Sequence, residues 1–115
     1  MIETVLRSYL LGQLTNVPVY AEIPADPPET FILIEKTGSS RSNLIESATI
    51  AVQSYASSMY NAAALNQTVK AAMFAAPGTV PQISAVYLDS DYNFTDTDTK
   101  HYRYQAVFEI THYEV

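Results

Sequence analysis

The stretch Lys100–Val115, KHYRYQAVFEITHYEV, alternates between side chains suited to a core and side chains suited to solvent. One side of the extended chain carries Tyr102, Tyr104, Ala106, Phe108, Ile110 and His112, and the other carries Arg103, Gln105, Glu109 and Thr111. This period of two predicts an antiparallel strand with one buried face. Because so long a strand needs neighbours in its own sheet or in another subunit's, the stretch indicates sheet pairing and assembly rather than chemistry.

The segments immediately upstream supply a partner strand and a helix. Residues 83–94 alternate in the same way and are predicted to pair with the final strand, with the polar turn 95–99 between them. Residues 57–74 are rich in alanine and carry Val69 and Met73 at helical spacing, which predicts a helix packed closely on the sheet. Ser57 or Ser58 is positioned to cap it, and Pro77-Gly78 is expected to end it.

The first half of the chain provides the remaining elements. Residues 46–55 alternate as a strand, and the continuous apolar run 31–36 suits a central strand. Between them, residues 38–43 form a predicted polar loop. Residues 17–22 are a brief extended segment, and residues 2–14 are an amphipathic helix. We therefore predict one α+β domain over residues 1–115, with a mixed, mostly antiparallel sheet of four to five strands and two helices packed on it.

The amino-acid composition indicates which kinds of partner and chemistry are not expected for this protein. The net charge of −6 and the six scattered basic residues do not favour sequence-specific nucleic-acid binding. No apolar run approaches the roughly 18 residues of a membrane helix, and the absence of cysteine excludes disulfides and thiolate chemistry. Nine tyrosines and no tryptophan suit either ordinary strand filling or surfaces that become covered in an assembly.

Few residues are candidates for chemistry. Asp89, Asp91, Asp96 and Asp98 cluster near one hairpin end, but the glycine and the downstream glutamate of a calcium loop are missing, so a solvated acidic turn is the preferred interpretation. His101 and His112 stand at opposite ends of one strand. The three glycines are isolated from one another, which excludes a phosphate-binding loop. We expect no catalytic residues, no cofactor and no metal site.

The whole chain resembles the small tail terminator, or tail completion, proteins of long-tailed (siphovirus-like) bacteriophages. The resemblance lies in an N-terminal helix leading to VPVYAEIP, a strand of the FILIEK kind, and ATIAVQSYA running into SSMYNAAALNQTVKAAM. The chain then closes with HYRYQAVFEITHY. The order of elements and a few patterned stretches carry it, over nearly the full length.

The resemblance implies a non-enzymatic virion component that forms a homo-oligomeric ring, usually a hexamer. Such a ring caps the tail tube protein, stops tail polymerisation and offers the surface to which the head-neck connector protein attaches. The implied location is the tail or neck of the virion, with the host cytoplasm as the place of assembly. Two alternatives stay open: another phage neck protein for head completion or connection, and a small cellular dimeric ligand-binding domain.

Three residues are candidates for subunit contacts. Arg41 is the one cation in the polar segment 38–43, where it suits an interface ion pair or a solvated position. Tyr92 and Phe94 lie near the predicted hairpin end beside aspartates, where they suit interface anchors or a cap on the edge of the core.

Overall fold

The alternating stretch near the end of the sequence forms a strand that pairs with residues far from it along the chain. A computed structural model describes residues 1–42, 45–96, 98–99 and 101–113. Its elements in chain order are α1 (Ile2–Gln13), β1 (Val19–Tyr20), β2 (Phe31–Ser42), β3 (Ile45–Tyr55), α2 (Met59–Thr79), β4 (Ile83–Asn93) and β5 (Arg103–Tyr113).

The five strands form one sheet in the order β1-β2-β3-β5-β4. The short β1 runs parallel to β2, and every other neighbouring pair is antiparallel. The predicted α+β class, with a mixed and mostly antiparallel sheet, is confirmed. The predicted pairing of β4 with β5 is confirmed as well, and β5 lies between β3 and β4, where both of its edges are hydrogen-bonded.

Both helices cover the same face of the sheet. α2 packs on β3, β4 and β5, while α1 packs on β1, β2 and α2. Between helices and sheet lies the main core, whose largest fully buried side chains are Phe108, Leu6, Leu10, Ile32, Ile34, Ile50, Met73, Ile83, Ile110, Val19, Val52 and Val69. Each fully buried side chain of this size contributes about 1.5–3 kcal/mol to folding. The alternation of β5 therefore sorts Ala106, Phe108 and Ile110 into this core.

The prediction of a polar loop over residues 38–43 is wrong for residues 38–42. Residues 38–42 belong to β2 and pair with residues 45–49 of β3, after a bulge between Lys36 and Gly38; Asn43 lies outside the described residues. The side chains of this half of β2 are mostly exposed. Strand pairing here depends on hydrogen bonds between backbone N–H and C=O groups, which form whether the side chains are polar or apolar.

α2 also extends further than predicted, because Pro77 lies inside the helix rather than beyond its end. A proline in the last turn removes a single backbone hydrogen bond, and buried Ala76 holds this turn against the core. The helix ends two residues after Pro77, where the Val80 N–H donates to the Ala76 carbonyl oxygen at 2.7 Å. At the other end the predicted cap is confirmed, since Ser58 Oγ accepts from the Asn61 N–H at 3.1 Å.

Candidate functional site

The sheet face opposite the helices, which we call the open face, carries side chains in rows set by the strand register. One row contains Phe31, Tyr55 and Arg103. The next contains Leu33, Gln53, Gln105 and Tyr92. Because paired residues in neighbouring strands point to the same side, these two rows form a continuous surface at the end of the sheet where β2 begins.

Stacked aromatic rings form the buried part of this surface. The Phe31 and Tyr55 rings stack at a centroid distance of 4.3 Å and an interplanar angle of 9°, and the Tyr20 ring meets Phe31 edge-on at 5.8 Å. Together with Leu33 they form a second apolar cluster, separate from the main core. Because Phe31, Leu33 and Tyr55 are buried, this cluster is a packed support for the exposed side chains beside it.

Arg103 links this cluster to Phe94, the residue directly after β4. Its Nη1 donates to the Tyr55 hydroxyl oxygen at 2.8 Å, and its Nε donates to the Phe94 carbonyl oxygen at 2.7 Å. The guanidinium also lies over the Phe94 ring, 4.4 Å from its centroid. Two hydrogen bonds and a cation–π contact fix the orientation of this cation. The sequence assigned Arg103 to the exposed side of β5 but contained no signal for these contacts, which depend on β3 and β4 together.

A chain of side-chain hydrogen bonds continues from Arg103 across the sheet. The Tyr55 hydroxyl donates to Gln53 Oε1 at 2.9 Å, and Gln53 Nε2 donates to Gln105 Oε1 at 2.8 Å. Gln105 Nε2 in turn donates to the Tyr92 hydroxyl. Because each member restrains the next, this network holds the open face in a single arrangement.

Tyr92 and Phe94, two of the predicted contact residues, meet at the end of this chain. Their ring centroids are 5.8 Å apart and nearly perpendicular, and the two residues remain 41% and 38% exposed. Neither belongs to the main core. Their place at the hairpin end is as predicted, and exposed aromatic rings on a rigid support have the character of interface anchors.

Arg41, the third predicted contact residue, lies elsewhere. It is in β2 opposite Glu46 of β3, not in a loop, and Glu46 in turn pairs with His112 of β5. Since Tyr92 pairs with Gln105, seven residues of β5, or about 24 Å at 3.4 Å per residue, separate Arg41 from the aromatic rings along the sheet. Arg41 and the Tyr92–Phe94 pair therefore do not form one site.

Beside the aromatic rows lies a cleft of about 380 Å³. One wall is the proline-rich segment 21–30 between β1 and β2, which we call the strap. The cleft is lined by Ile23, Pro27, Pro28, Glu29, Phe31, Tyr55, Ala56, Ser57, His101, Tyr102 and Arg103. This lining offers stacking surfaces and one fixed guanidinium. It is suited to holding a flat apolar group that carries a negative charge.

Two of the four clustered aspartates have separate roles in the structure. Asp91 forms an ion pair with Lys70 of α2 at 2.9 Å, and Asp96 holds the turn before β5 through hydrogen bonds to backbone N–H groups. Over the described residues, no three or more His, Asp or Glu side chains come together as metal ligands would. His101 precedes β5 and lines the cleft, whereas His112 is buried near the other end of β5, so the two histidines do not share a site.

The surroundings of Asp96 stabilise its ionised carboxylate. Its Oδ1 accepts from the Asp98 N–H at 3.0 Å and from the Thr99 N–H at 3.4 Å. These bonds, with a side-chain hydrogen bond from Thr99 and the nearby charge of Arg103, lower the pKa of Asp96 below its usual value.

We expect this turn to loosen in acid. The folded pKa of Asp96 is depressed, so its stabilising effect is complete above the unfolded pKa of about 3.9 and is lost as the pH falls through the folded pKa. In a pH titration by NMR, the Asp98 and Thr99 amide resonances should shift with a midpoint below about pH 3.9. The Asp96→Asn variant should lack this transition. A midpoint above that value would contradict the assignment.

No family model and no curated protein sequence matches this chain. Among the described residues, neither helix is long and apolar enough to cross a membrane.

Proposed function

We propose that this protein is a tail terminator of a long-tailed bacteriophage, acting as a homo-oligomeric ring, most simply a hexamer. In this role it caps the tail tube protein, stops its polymerisation and offers the surface to which the head-neck connector protein attaches. The role is structural rather than enzymatic, and the protein's place is the virion, after assembly in the host cytoplasm.

The observation that carries the proposal is the rigid open face with exposed aromatic rings. One face of the sheet is covered by both helices, whereas the other presents Tyr87, Tyr92 and Tyr113 at 64%, 41% and 53% exposure. Side chains of this type are favoured in the centres of protein interfaces. The order α-β-β-β-α-β-β supports the proposal as well, because it is the order of elements on which the resemblance rests.

The test is electron microscopy of particles from the phage or prophage that encodes the chain, after an early stop codon is placed in its gene. Overlong tails without heads are expected. Tails of normal length beside unattached or leaking heads would assign the protein to the neck instead, and normal virions would overturn the phage-assembly role.

Tyr92 and Phe94 should be needed for this role. We expect Tyr92→Ala and Phe94→Ala, supplied from a plasmid, to complement the stop-codon phage at least tenfold less well than the wild-type gene. Loss of about 1.4 kcal/mol of interface energy is sufficient for that effect on a binding equilibrium. The measurement is phage titre, with far-ultraviolet circular dichroism of each purified variant to verify folding.

Tyr60→Ala provides the matched control, because Tyr60 is 80% exposed but lies on α2, away from the open face. Its titre should equal that of the wild type. Full complementation by both sheet variants, or an equal loss in the Tyr60 variant, would remove the Tyr92–Phe94 pair from the contact surface.

A further inference from the structure

Two complementary features lie on different parts of the sheet. The cleft lies at the end of the sheet where β2 and β5 begin and β3 ends, with the strap as one wall, whereas β4 forms a lateral edge. A molecule with two complementary surfaces that do not overlap can join copies head to tail, and such contacts generate closed rings when the rotation between copies is suitable.

The cleft supplies the receiving half. Nε and Nη1 of Arg103 are engaged within the chain, but its Nη2 has no hydrogen-bond partner among the described residues. The exposed ring of His101 lines the same cleft, and Glu29 lines it from the strap. A volume of about 380 Å³ accommodates one aromatic side chain together with a neighbouring carboxylate.

The edge strand β4 supplies the inserting half. Its pairing with β5 shifts between Leu88 and Ser90, which makes Asp89 the extra residue of a β-bulge. Bulges on edge strands redirect side chains away from the sheet. Tyr87 is 64% exposed and Leu88 is 36% exposed, and the Asp89 carboxylate has no ion pair or hydrogen bond within the described part of the chain.

We propose that Tyr87 and Asp89 of one copy dock into the cleft of the next copy. The Tyr87 ring packs against the prolines and rings of the cleft, and the Asp89 carboxylate accepts hydrogen bonds from Arg103. Charge complementarity favours a second copy as the occupant, since the exposed carboxylate on β4 lacks a partner among the described residues and the Arg103 guanidinium in the cleft has an Nη2 that is still able to donate. The inference rests on the self-association in the proposed function and names the contact through which it occurs.

Disulfide trapping tests this contact directly, because the chain contains no cysteine. The variant pairs Ser90→Cys, directly after Asp89, with His101→Cys, so that Tyr87 and Asp89 stay intact; Ser90 is half-buried and His101 is exposed. Ser90 pairs with Val107, so about six residues of β5, or roughly 20 Å, separate the two cysteines within one chain. An intramolecular disulfide needs the Cα atoms within about 7 Å, so any bond must join two copies.

Under mild oxidation we expect a ladder of linked dimers, trimers and larger species that collapses to monomer on reduction. The matched control pairs Glu35→Cys with His101→Cys. Glu35 pairs with Ala51, Ala51 pairs with Val107, and Val107 pairs with Ser90. Glu35 and Ser90 therefore lie in one row across the sheet, at opposite ends of that row. This control should give no ladder, and either cysteine alone should give no product larger than a dimer.

The charge pair has its own test in sedimentation equilibrium or in the same cross-linking assay. Asp89→Lys should reduce self-association at least tenfold, whereas Glu35→Lys, which changes the charge by the same amount, should leave it unchanged. A ladder from the control pair, or no ladder from either pair, would overturn the contact. The stop-codon phenotype is independent of these results, so the proposed function can stand if the contact fails.

Discussion

Replacing Phe108 by alanine is expected to lower the free energy of unfolding by about 3–5 kcal/mol. Phe108 is completely buried, and it lies in β5, which is paired on both sides. The side chain spans the space between the sheet and α2, where its ring meets the Phe74 ring edge-on at 6.2 Å. Its removal leaves a cavity at the centre of the main core, in a fold whose total stability is on the order of 5–15 kcal/mol.

Urea denaturation followed by circular dichroism measures this loss. Phe74→Ala is the matched control, because Phe74 is the partner ring but remains 50% exposed. A half-exposed side chain leaves no closed cavity, so its removal should cost no more than about 1.5 kcal/mol. Equal losses in the two variants would show that the core is not centred on Phe108.

Replacing Asn66 by aspartate should make stability strongly dependent on pH. Asn66 faces the core from α2 and is 1% exposed, and its Oδ1 has no hydrogen-bond partner in the described part of the molecule. A carboxylate at this position would be buried without a donor. Desolvation should therefore raise the pKa of the introduced acid in the folded state.

The direction of the effect follows from proton linkage. An acid with a raised folded pKa is fully tolerated below its unfolded pKa, and stability is lost as the pH rises above about 3.9, by about 1.4 kcal/mol per pH unit. Between pH 4 and pH 7 the Asn66→Asp variant should lose about 4 kcal/mol relative to the parent. The loss should stop at the pH where the buried acid ionises.

Denaturant titrations at a series of pH values provide the measurement. Asn66→Leu, with similar volume and no charge, should follow the pH profile of the parent, because an apolar side chain removes the unpaired oxygen without introducing a titrating group. A flat profile for the aspartate variant would mean that the side chain reaches solvent or finds a donor.

The predicted elements that agree with the structure are those with long periodic patterns. The alternation of β5 and the predicted pairing of β4 with it were readable because each strand has one face in the core. The predicted helix on Val69 and Met73 was readable for the same reason. A serine cap at residue 57 or 58 could be predicted because the first amides of a helix need a hydrogen-bond acceptor nearby.

The errors occur where local composition and long-range pairing disagree. Residues 38–42 have the composition of a loop, yet β3 offers them a backbone ladder. Pro77 usually ends a helix, yet the contacts of Ala76 hold the last turn of α2 in place. Asn66 lies at helical spacing between the buried Ala62 and Val69, but hydrophobic periodicity does not mark it because its side chain is polar.

The sequence by itself determined the fold class, the order of elements and which face of β5 is buried, because hydrophobic periodicity acts within one segment at a time. Only the tertiary structure decided the candidate site. Phe31, Tyr55 and Arg103 come from three strands, and Phe94 from the segment after a fourth, and they meet because the register of the sheet places them side by side. The cleft exists because the strap returns across that end of the sheet. Register and strap position depend on contacts between residues distant in the chain, and no local pattern encodes them.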